Sequence, residues 1–130
     1  MTSSDVISFD DVPLLDEVRH ALPYIFGEKA DNLKVEGNYY YDITLRSQCG
    51  IGFHGDSERK IVVGVRVGAS MTLRYRWYLR SEPISGNIDF ILENGDIYAM
   101  SSKAVGTDWK KKRTIPTLRH AAGCKKFIGD

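Results

Sequence analysis

Cysteine, long apolar runs and a cationic leader are scarce or missing in this 130-residue chain. Its two cysteines, Cys49 and Cys124, are too few for a disulfide framework and form no Cys-x-x-Cys metal motif. The longest apolar stretches, such as 61–65, fall far short of the roughly 20 residues that cross a bilayer. Residues 1–11 lack the cationic and apolar segments of a secretory signal. We therefore expect a reduced intracellular protein, cytoplasmic or nuclear, with no membrane partner.

Length and composition predict one domain. Two independent cores rarely fit below about 150 residues, so we expect a single domain over 1–130, with residues 1–10 as a loose tail. Hydrophobic residues make up 42% of the chain and charged residues 27%, which is the ordinary globular range. The chain should therefore fold without a partner.

The formal net charge of +1 conceals an asymmetry between the two ends of the chain. Residues 1–36 hold eight acids against three bases, whereas the remainder holds nine acids against fifteen bases. Seven cations and no acid lie between Lys110 and Phe127. Such a segment is either a solvated charged surface or an attractor for a polyanion such as nucleic acid.

One amphipathic helix is expected near the start of the chain. Apolar residues recur at three- and four-residue intervals after Asp11 and Pro13, which suit an N-cap and an early helical proline. This pattern predicts a helix over about 12–22. We expect Pro23 and Gly27 to end it.

From Asn38 onward the apolar period changes to two, which indicates strands. The clearest case is 71–79, where one face is apolar and the other carries Arg74 and Arg76, either solvated or touching phosphate. The predicted strands are 39–46, 51–54, 60–67, 71–79, 87–92, 95–100 and 114–119. Antiparallel strands of this length must bury one face, so the pattern favours a mainly β sandwich or jelly roll, with the helix outside.

Asn94 and Gly95 form the sharpest turn signal in the chain. Glycine accepts the positive φ that two-residue hairpin turns require. The turn therefore predicts a hairpin that joins 88–92 to 97–100.

His54 and Asp56 form a His-x-Asp pair at the end of a predicted strand. Residues two apart on a strand share one face, so the imidazole and the carboxylate aim at one point. Imidazole plus carboxylate begins the facial triad that holds non-haem Fe(II) with open positions. The pair therefore predicts a divalent metal site.

Arg113 and Arg119 lie six positions apart in the last predicted strand. An even spacing places both guanidinium groups on one strand face. Arginine grips a carboxylate through two parallel hydrogen bonds, so this strand can anchor a dicarboxylate beside the metal. The alternative is a pair of solvated arginines that continue the lysine run.

Several segments in one order resemble the AlkB family of Fe(II)- and 2-oxoglutarate-dependent dioxygenases. They are 38–40, 54–59, 61–68, 73–76, 94–100 and 113–119, and the resemblance covers about 38–120. It implies a double-stranded β-helix, in agreement with the jelly roll. It implies iron binding by His54 and Asp56. For the remaining site it implies 2-oxoglutarate contacts from Asn38, Tyr40, Arg113 and Arg119, and a substrate position near Glu58 and Arg59.

The chain departs from this family at the third iron ligand. The family has a histidine between the strand that ends at Met100 and the last arginine, and residues 101–118 contain none. Asp108 is the strong ligand nearest the vacant place, and its alternative is a surface-turn aspartate. His120 is the remaining candidate, and we expect it to point away from the face of Arg119. His20 belongs to the helix and is expected to be structural.

The resemblance implies oxidative demethylation or hydroxylation of nucleic-acid bases, as in DNA repair. The basic C-terminal segment favours nucleic acid as the substrate, although about 37 residues before Asn38 leave no room for a full nucleotide-recognition lid. Hydroxylation of a protein side chain is an alternative substrate. Two further alternatives are a catalytically impaired jelly-roll module that binds nucleic acid or a protein partner, and a sugar-binding jelly roll.

Overall fold

The computed structural model describes residues 6–39, 50–55, 59–123 and 128. The chain divides into two compact units, Met1–Glu36 and Gly37–Asp130. The helices are α1 (Pro13–Phe26) and α2 (Ser102–Val105), and the strands are β1 (Gly50–His54), β2 (Val62–Val65), β3 (Met71–Leu79), β4 (Glu82–Pro83), β5 (Ile88–Leu92), β6 (Ile97–Met100) and β7 (Thr117–Gly123). Within the described ranges, no helix has the length and apolarity needed to cross a membrane.

The first unit contains α1, which extends four residues beyond its predicted end. Pro23 lies inside its last turn, where the missing N–H removes a single hydrogen bond and does not stop the helix. Gly27 ends it with a φ of +82°, and its N–H donates to the Pro23 carbonyl at 2.9 Å. Phe9 and Asp10, which the sequence assigns to the loose tail, instead belong to a 3-10 helix over Phe9–Asp11 that begins at a Ser8 cap.

The second unit is mainly β, as the sequence predicts. One antiparallel sheet has the order β1-β7-β3-β4, with β5 also paired to β3, and a second sheet contains β2 and β6. The core combines side chains of both sheets with α2: Met71, Leu73, Tyr75, Leu92, Met100, Ala104, Val105 and Ala122. The apolar period of two therefore positions one face of each sheet toward a shared interior.

The turn at Asn94 and Gly95 forms, but the predicted hairpin is wrong. Gly95 has a φ of +88°, and the Asp96 N–H donates to the Glu93 carbonyl at 3.0 Å. The strands on either side do not pair with each other, since β5 pairs with β3 and β6 pairs with β2. The turn is held by the 66–68 loop, and the chain crosses there from one sheet to the other.

The predicted strand 71–79 matches β3 over its whole length. Met71, Leu73 and Tyr75 are buried on the predicted apolar face. On the other face, the Arg74 guanidinium donates two hydrogen bonds to the Asp89 carboxylate, at 2.7 and 2.9 Å. Arg74 is therefore held by the neighbouring strand.

Asp89 gives a pH-dependent prediction. The hydrogen bonds from Arg74 lower the pKa of the Asp89 carboxyl below its ordinary value of 3.8. A lowered pKa contributes stability above pH 3.8 that disappears as the pH falls through the folded-state value. We expect Asp89→Asn to cost at most about 1 kcal/mol at neutral pH, because the carboxylate is partly exposed. Urea unfolding of the unaltered chain and the variant at neutral and at acidic pH checks this. A difference in the free energy of unfolding that persists at acidic pH would contradict it.

The last predicted strand is displaced. The segment 112–114 forms a turn, and β7 begins only at Thr117 after Pro116, three residues later than predicted. The preceding segment forms α2 and a 3-10 helix over Thr107–Lys111, which the strand pattern did not predict. Of the predicted strand 39–46, Tyr39 lies outside any strand, and the rest is outside the described residues.

Candidate metal centre

Three side chains form a row across the five-stranded sheet. His54 at the end of β1 pairs with His120 of β7, and His120 pairs on its other side with Tyr75 of β3. Directly paired residues project from the same face of a sheet. The His54 and His120 ring centroids lie 4.3 Å apart, and those of His120 and Tyr75 lie 5.7 Å apart. Antiparallel pairing thus joins two imidazoles that are 66 positions apart in sequence.

The hydrogen bond of His54 determines which of its nitrogens can bind a metal. Its Nδ1 lies 2.8 Å from the Gly52 carbonyl oxygen, and a carbonyl can only accept. The neutral ring must therefore carry its proton on Nδ1 and keep the lone pair on Nε2. A carbonyl that fixes the ring in this way is typical of metal-binding histidines.

His120 lies on the core side of β7 and is only 7% exposed. It lies on the face opposite Arg119, as predicted from strand alternation, and this is also the face of His54. A signal for this orientation is present in the sequence. Leu118, His120 and Ala122 alternate with Arg119 and Ala121, and the apolar members of that first set point toward the core.

Tyr75 completes the row with a hydroxyl that stays protonated. Burial, with a smaller contribution from Tyr98, raises the pKa of Tyr75 to about 12. At neutral pH the phenol is therefore neutral. Tyr75 packs against His120 and presents a hydrogen-bonding hydroxyl.

Arg119 lies on the other face of β7. Its guanidinium carbon is 4.4 Å from the ring centre of Tyr78 and 4.4 Å from that of Trp109. Both contacts are cation–π interactions, which hold the side chain between two aromatic rings. The Nε atom of Arg119 is buried and has no hydrogen-bond partner among the residues that the structure describes.

Arg113 does not share a strand face with Arg119, so that prediction is wrong. Arg113 is exposed in the 112–114 turn, before Pro116 and the start of β7. Its carbonyl accepts a hydrogen bond from Arg80 Nε at 3.3 Å. The even-spacing argument fails because it requires a continuous strand, and the turn breaks the alternation of faces.

Asp108 is engaged elsewhere. Its carboxylate forms an ion pair with the Lys103 ammonium, with 2.5 Å between Oδ2 and Nζ. Across the described ranges, no group of three or more His, Cys, Asp or Glu side chains gathers in a metal-binding arrangement. His54 and His120 therefore form a pair of potential metal ligands without a third one beside them among the described residues.

The other predicted site residues have the following positions. Asn38 is exposed in an irregular segment. The Arg59 N–H donates to the Val105 carbonyl at 3.1 Å, which joins the segment after β1 to α2. Tyr40, Asp56 and Glu58 lie outside the described residues.

Trp109 supports the end of β1. A Cβ added to Gly55 would lie 2.8 Å from the indole ring, so only glycine allows this contact. The ring therefore packs on the backbone directly after His54. The structure thus places Trp109 against both Gly55 and Arg119.

Comparison with known proteins identifies a viral relative. The chain is 54% identical over 123 residues to an uncharacterized protein of Acanthamoeba polyphaga mimivirus. The match covers 95% of this chain and 46% of the relative, so the chain spans about half the length of that protein. The chain matches no protein family, and no solved structure is significantly similar to it.

Proposed function

We propose that this chain holds the metal centre of an Fe(II)- and 2-oxoglutarate-dependent dioxygenase. The observation that carries the proposal is the direct pairing of His54 with His120, whose rings lie 4.3 Å apart. In the proposal, Asp56 supplies the carboxylate, because it follows His54 by two positions. Two imidazoles and one carboxylate make the facial triad of non-haem iron.

The donor set fits the metal. His54 keeps the Nε2 lone pair free by donating its Nδ1 proton to Gly52, and His120 is buried beside it. His120 replaces Asp108 as the proposed third ligand, because the Asp108 carboxylate is neutralised by Lys103. A double-stranded β-helix is the fold that we propose for the two antiparallel sheets, with the triad at the end of β1.

The residues around the pair have distinct tasks. Bound iron would let dioxygen act as the oxidant and 2-oxoglutarate as the reductant, so that a methyl or methylene group of the substrate is hydroxylated and succinate and carbon dioxide are released. The Gly52 carbonyl orients the His54 ring, and Trp109 fixes the backbone at Gly55. The buried His120 and Tyr75 keep water from that side of the pair. The contacts of Asn38, Tyr40, Arg113 and Arg119 with 2-oxoglutarate stay predictions, as do those of Glu58 and Arg59 with substrate.

Nucleic acid is the substrate class that we propose, with an alkylated or methylated base as the reacting group. The support is electrostatic, since Lys110, Lys111 and Arg113 are exposed on one short stretch. Cations of this density attract phosphate. The viral relative carries a name that states no activity, so it neither favours nor opposes this choice.

A second function has one observation in its favour. A dioxygenase of the proposed kind needs a cation beside the metal to hold the cosubstrate carboxylate, but Arg119 lies between Tyr78 and Trp109 on the opposite face. This placement favours a β-rich module that binds nucleic acid or a partner without oxidising it.

Succinate release separates the two functions. With Fe(II), 2-oxoglutarate and ascorbate, the oxygenase should release succinate, and His54→Ala should lower the rate by about a hundredfold or more. His20→Ala is the matched control, because His20 is an exposed histidine on α1 and should leave the rate unchanged. If the chain is instead the non-oxidising binding module, no variant should release succinate. A rate for His54→Ala equal to that of the unaltered chain would also contradict the proposed dioxygenase.

A further inference from the structure

A cationic pocket lies at the β3–β4 turn. It has a volume of about 560 Å³ and is lined by Arg80, Ser81, Lys112 and Arg113. The pocket belongs to the second unit and uses none of the residues of the histidine pair. We propose that it binds a phosphate group of a nucleic-acid backbone.

Two hydrogen bonds assemble the pocket from distant parts of the chain. The Arg80 N–H donates to the Lys112 carbonyl at 3.2 Å, and Arg80 Nε donates to the Arg113 carbonyl at 3.3 Å. The β3–β4 turn is thereby joined to the turn that precedes β7. Tertiary structure thus brings Arg80 to Lys112 and Arg113, which are adjacent in sequence.

The positive charges of the pocket favour the binding of an anion. Its lining residues comprise three cations and one hydroxyl, and Glu82, which follows Ser81 in the chain, does not line it. The acid nearest to Lys112 in sequence, Asp108, is paired with Lys103. Like charges held close together repel one another, and a bound anion removes that repulsion. The ammonium of Lys112 also lies 4.6 Å from the Trp109 ring centre, a contact that orients it.

The backbone of the turn is strained at both Arg80 and Ser81. Both residues have positive φ, +52° and +68°, in the two-residue turn between the paired residues Leu79 and Glu82. Asparagine and glycine favour this conformation, whereas other residues are strained in it. A turn that served only to join two strands would be more stable with those residues.

Phosphate of a polymer fits this pocket better than a small metabolite does. Small ligands are usually bound with most of their surface buried in a largely apolar cleft. Here Arg80, Ser81 and Arg113 are exposed and polar, and the exposed Lys111 extends the positive charge beyond the pocket. Guanidinium groups and a hydroxyl match the several acceptor oxygens of a phosphate. The choice of nucleic acid as the polymer rests on the substrate class proposed above.

Fluorescence anisotropy of a labelled oligothymidylate, without added metal, tests the proposal. Arg113→Ala should weaken binding about tenfold at low salt, and the salt dependence of log K should fall by about 0.7. Arg113→Lys should restore much of the affinity, because it keeps the charge. Lys60→Ala is the charge-matched control, since Lys60 is exposed and does not line the pocket. It should stay within about twofold of the unaltered chain.

Arg80→Asn separates binding from folding. Asparagine tolerates positive φ, and this gain offsets the loss of the hydrogen bond from Arg80 Nε to the Arg113 carbonyl. The variant should therefore unfold at about the same temperature while it binds the oligonucleotide about tenfold more weakly. A purely structural role for Arg80, as a tether of the Arg113 turn, predicts a lower unfolding temperature together with the loss of affinity. Unchanged binding in the Arg80 and Arg113 variants, or a loss no larger than that of Lys60→Ala, would overturn the proposal.

Competition experiments identify the chemistry of the anion. Inorganic pyrophosphate should displace the oligonucleotide better than 2-oxoglutarate does at equal ionic strength. The reverse order would overturn the phosphate site and return Arg113 to the cosubstrate role that the resemblance implies. The binding assay contains no metal, so these results do not depend on whether the proposed metal centre is correct. Conversely, the loss of oligonucleotide binding alone would not contradict the proposed metal centre.

Discussion

Replacing His120 by alanine is expected to lower the affinity of the chain for Fe(II), or for its air-stable substitute Co(II), by about a hundredfold or more. Loss of a residue that merely orients a metal ligand already costs about 10- to 100-fold, and a direct ligand should cost at least as much. The expectation follows from the pairing of His120 with His54 at 4.3 Å between ring centroids. Isothermal titration of the metal-free chain with Co(II) measures it.

Matched variants distinguish a lost ligand from a damaged fold. His120→Gln keeps most of the buried volume, so it should retain the unfolding temperature of the metal-free chain and still lose affinity. His20→Ala should bind Co(II) normally. Asp108→Asn should also bind normally, because Asp108 pairs with Lys103. The proposed third ligand would be contradicted if the Asp108 variant lost its affinity for Co(II) while both His120 variants bound Co(II) normally.

The sequence predicts individual strands well where alternation is strict. In β3 every second side chain is apolar, and the predicted and observed bounds agree. Alternation reports the two faces of one strand, which depend on local geometry alone. For the same reason it orients His120 correctly relative to Arg119. Alternation does not identify which face meets the core, so it cannot decide whether Arg119 or His120 lies beside His54.

Pairing between strands is harder to predict than the strands themselves. Asn94 and Gly95 form a tight turn, yet β5 and β6 join different sheets, since β5 pairs with β3 and β6 pairs with β2. The turn signal is local, whereas the choice of partner depends on the whole core. The displaced start of β7 has a local cause in Pro116, which lacks the N–H that a strand ladder uses.

The histidine pair and the cationic pocket both depend on contacts between residues distant in sequence. His54 meets His120 through a ladder with an irregularity between Ile51 and His54, a feature that the printed sequence does not signal. Arg80 meets Arg113 through hydrogen bonds to backbone carbonyls, which any residue types at 112 and 113 would offer. Residue types alone therefore predict which chemistry is available, and the topology determines which groups meet.

Leu73→Ala is expected to lower the free energy of unfolding by about 2–5 kcal/mol, the range for removing a large apolar side chain from a packed core. Leu73 is 3% exposed, and it lies between Phe90 of β5 and Ala122 of β7 in the sheet that carries the histidine pair. A domain of this size is stable by only about 5–15 kcal/mol in total, so the loss should be visible as a large shift of the urea midpoint.

Ile91→Ala is the matched control for Leu73→Ala. Ile91 lies on β5 opposite Thr72, on the other face of the same strand pair, and is 67% exposed. Its truncation removes a similar side chain from a surface position and should change the free energy of unfolding by no more than about 0.5 kcal/mol. Equal losses in the two variants would contradict a core on the Leu73 face. Since His54 and His120 project from that face, the same result would also remove the buried environment that the proposed metal centre requires.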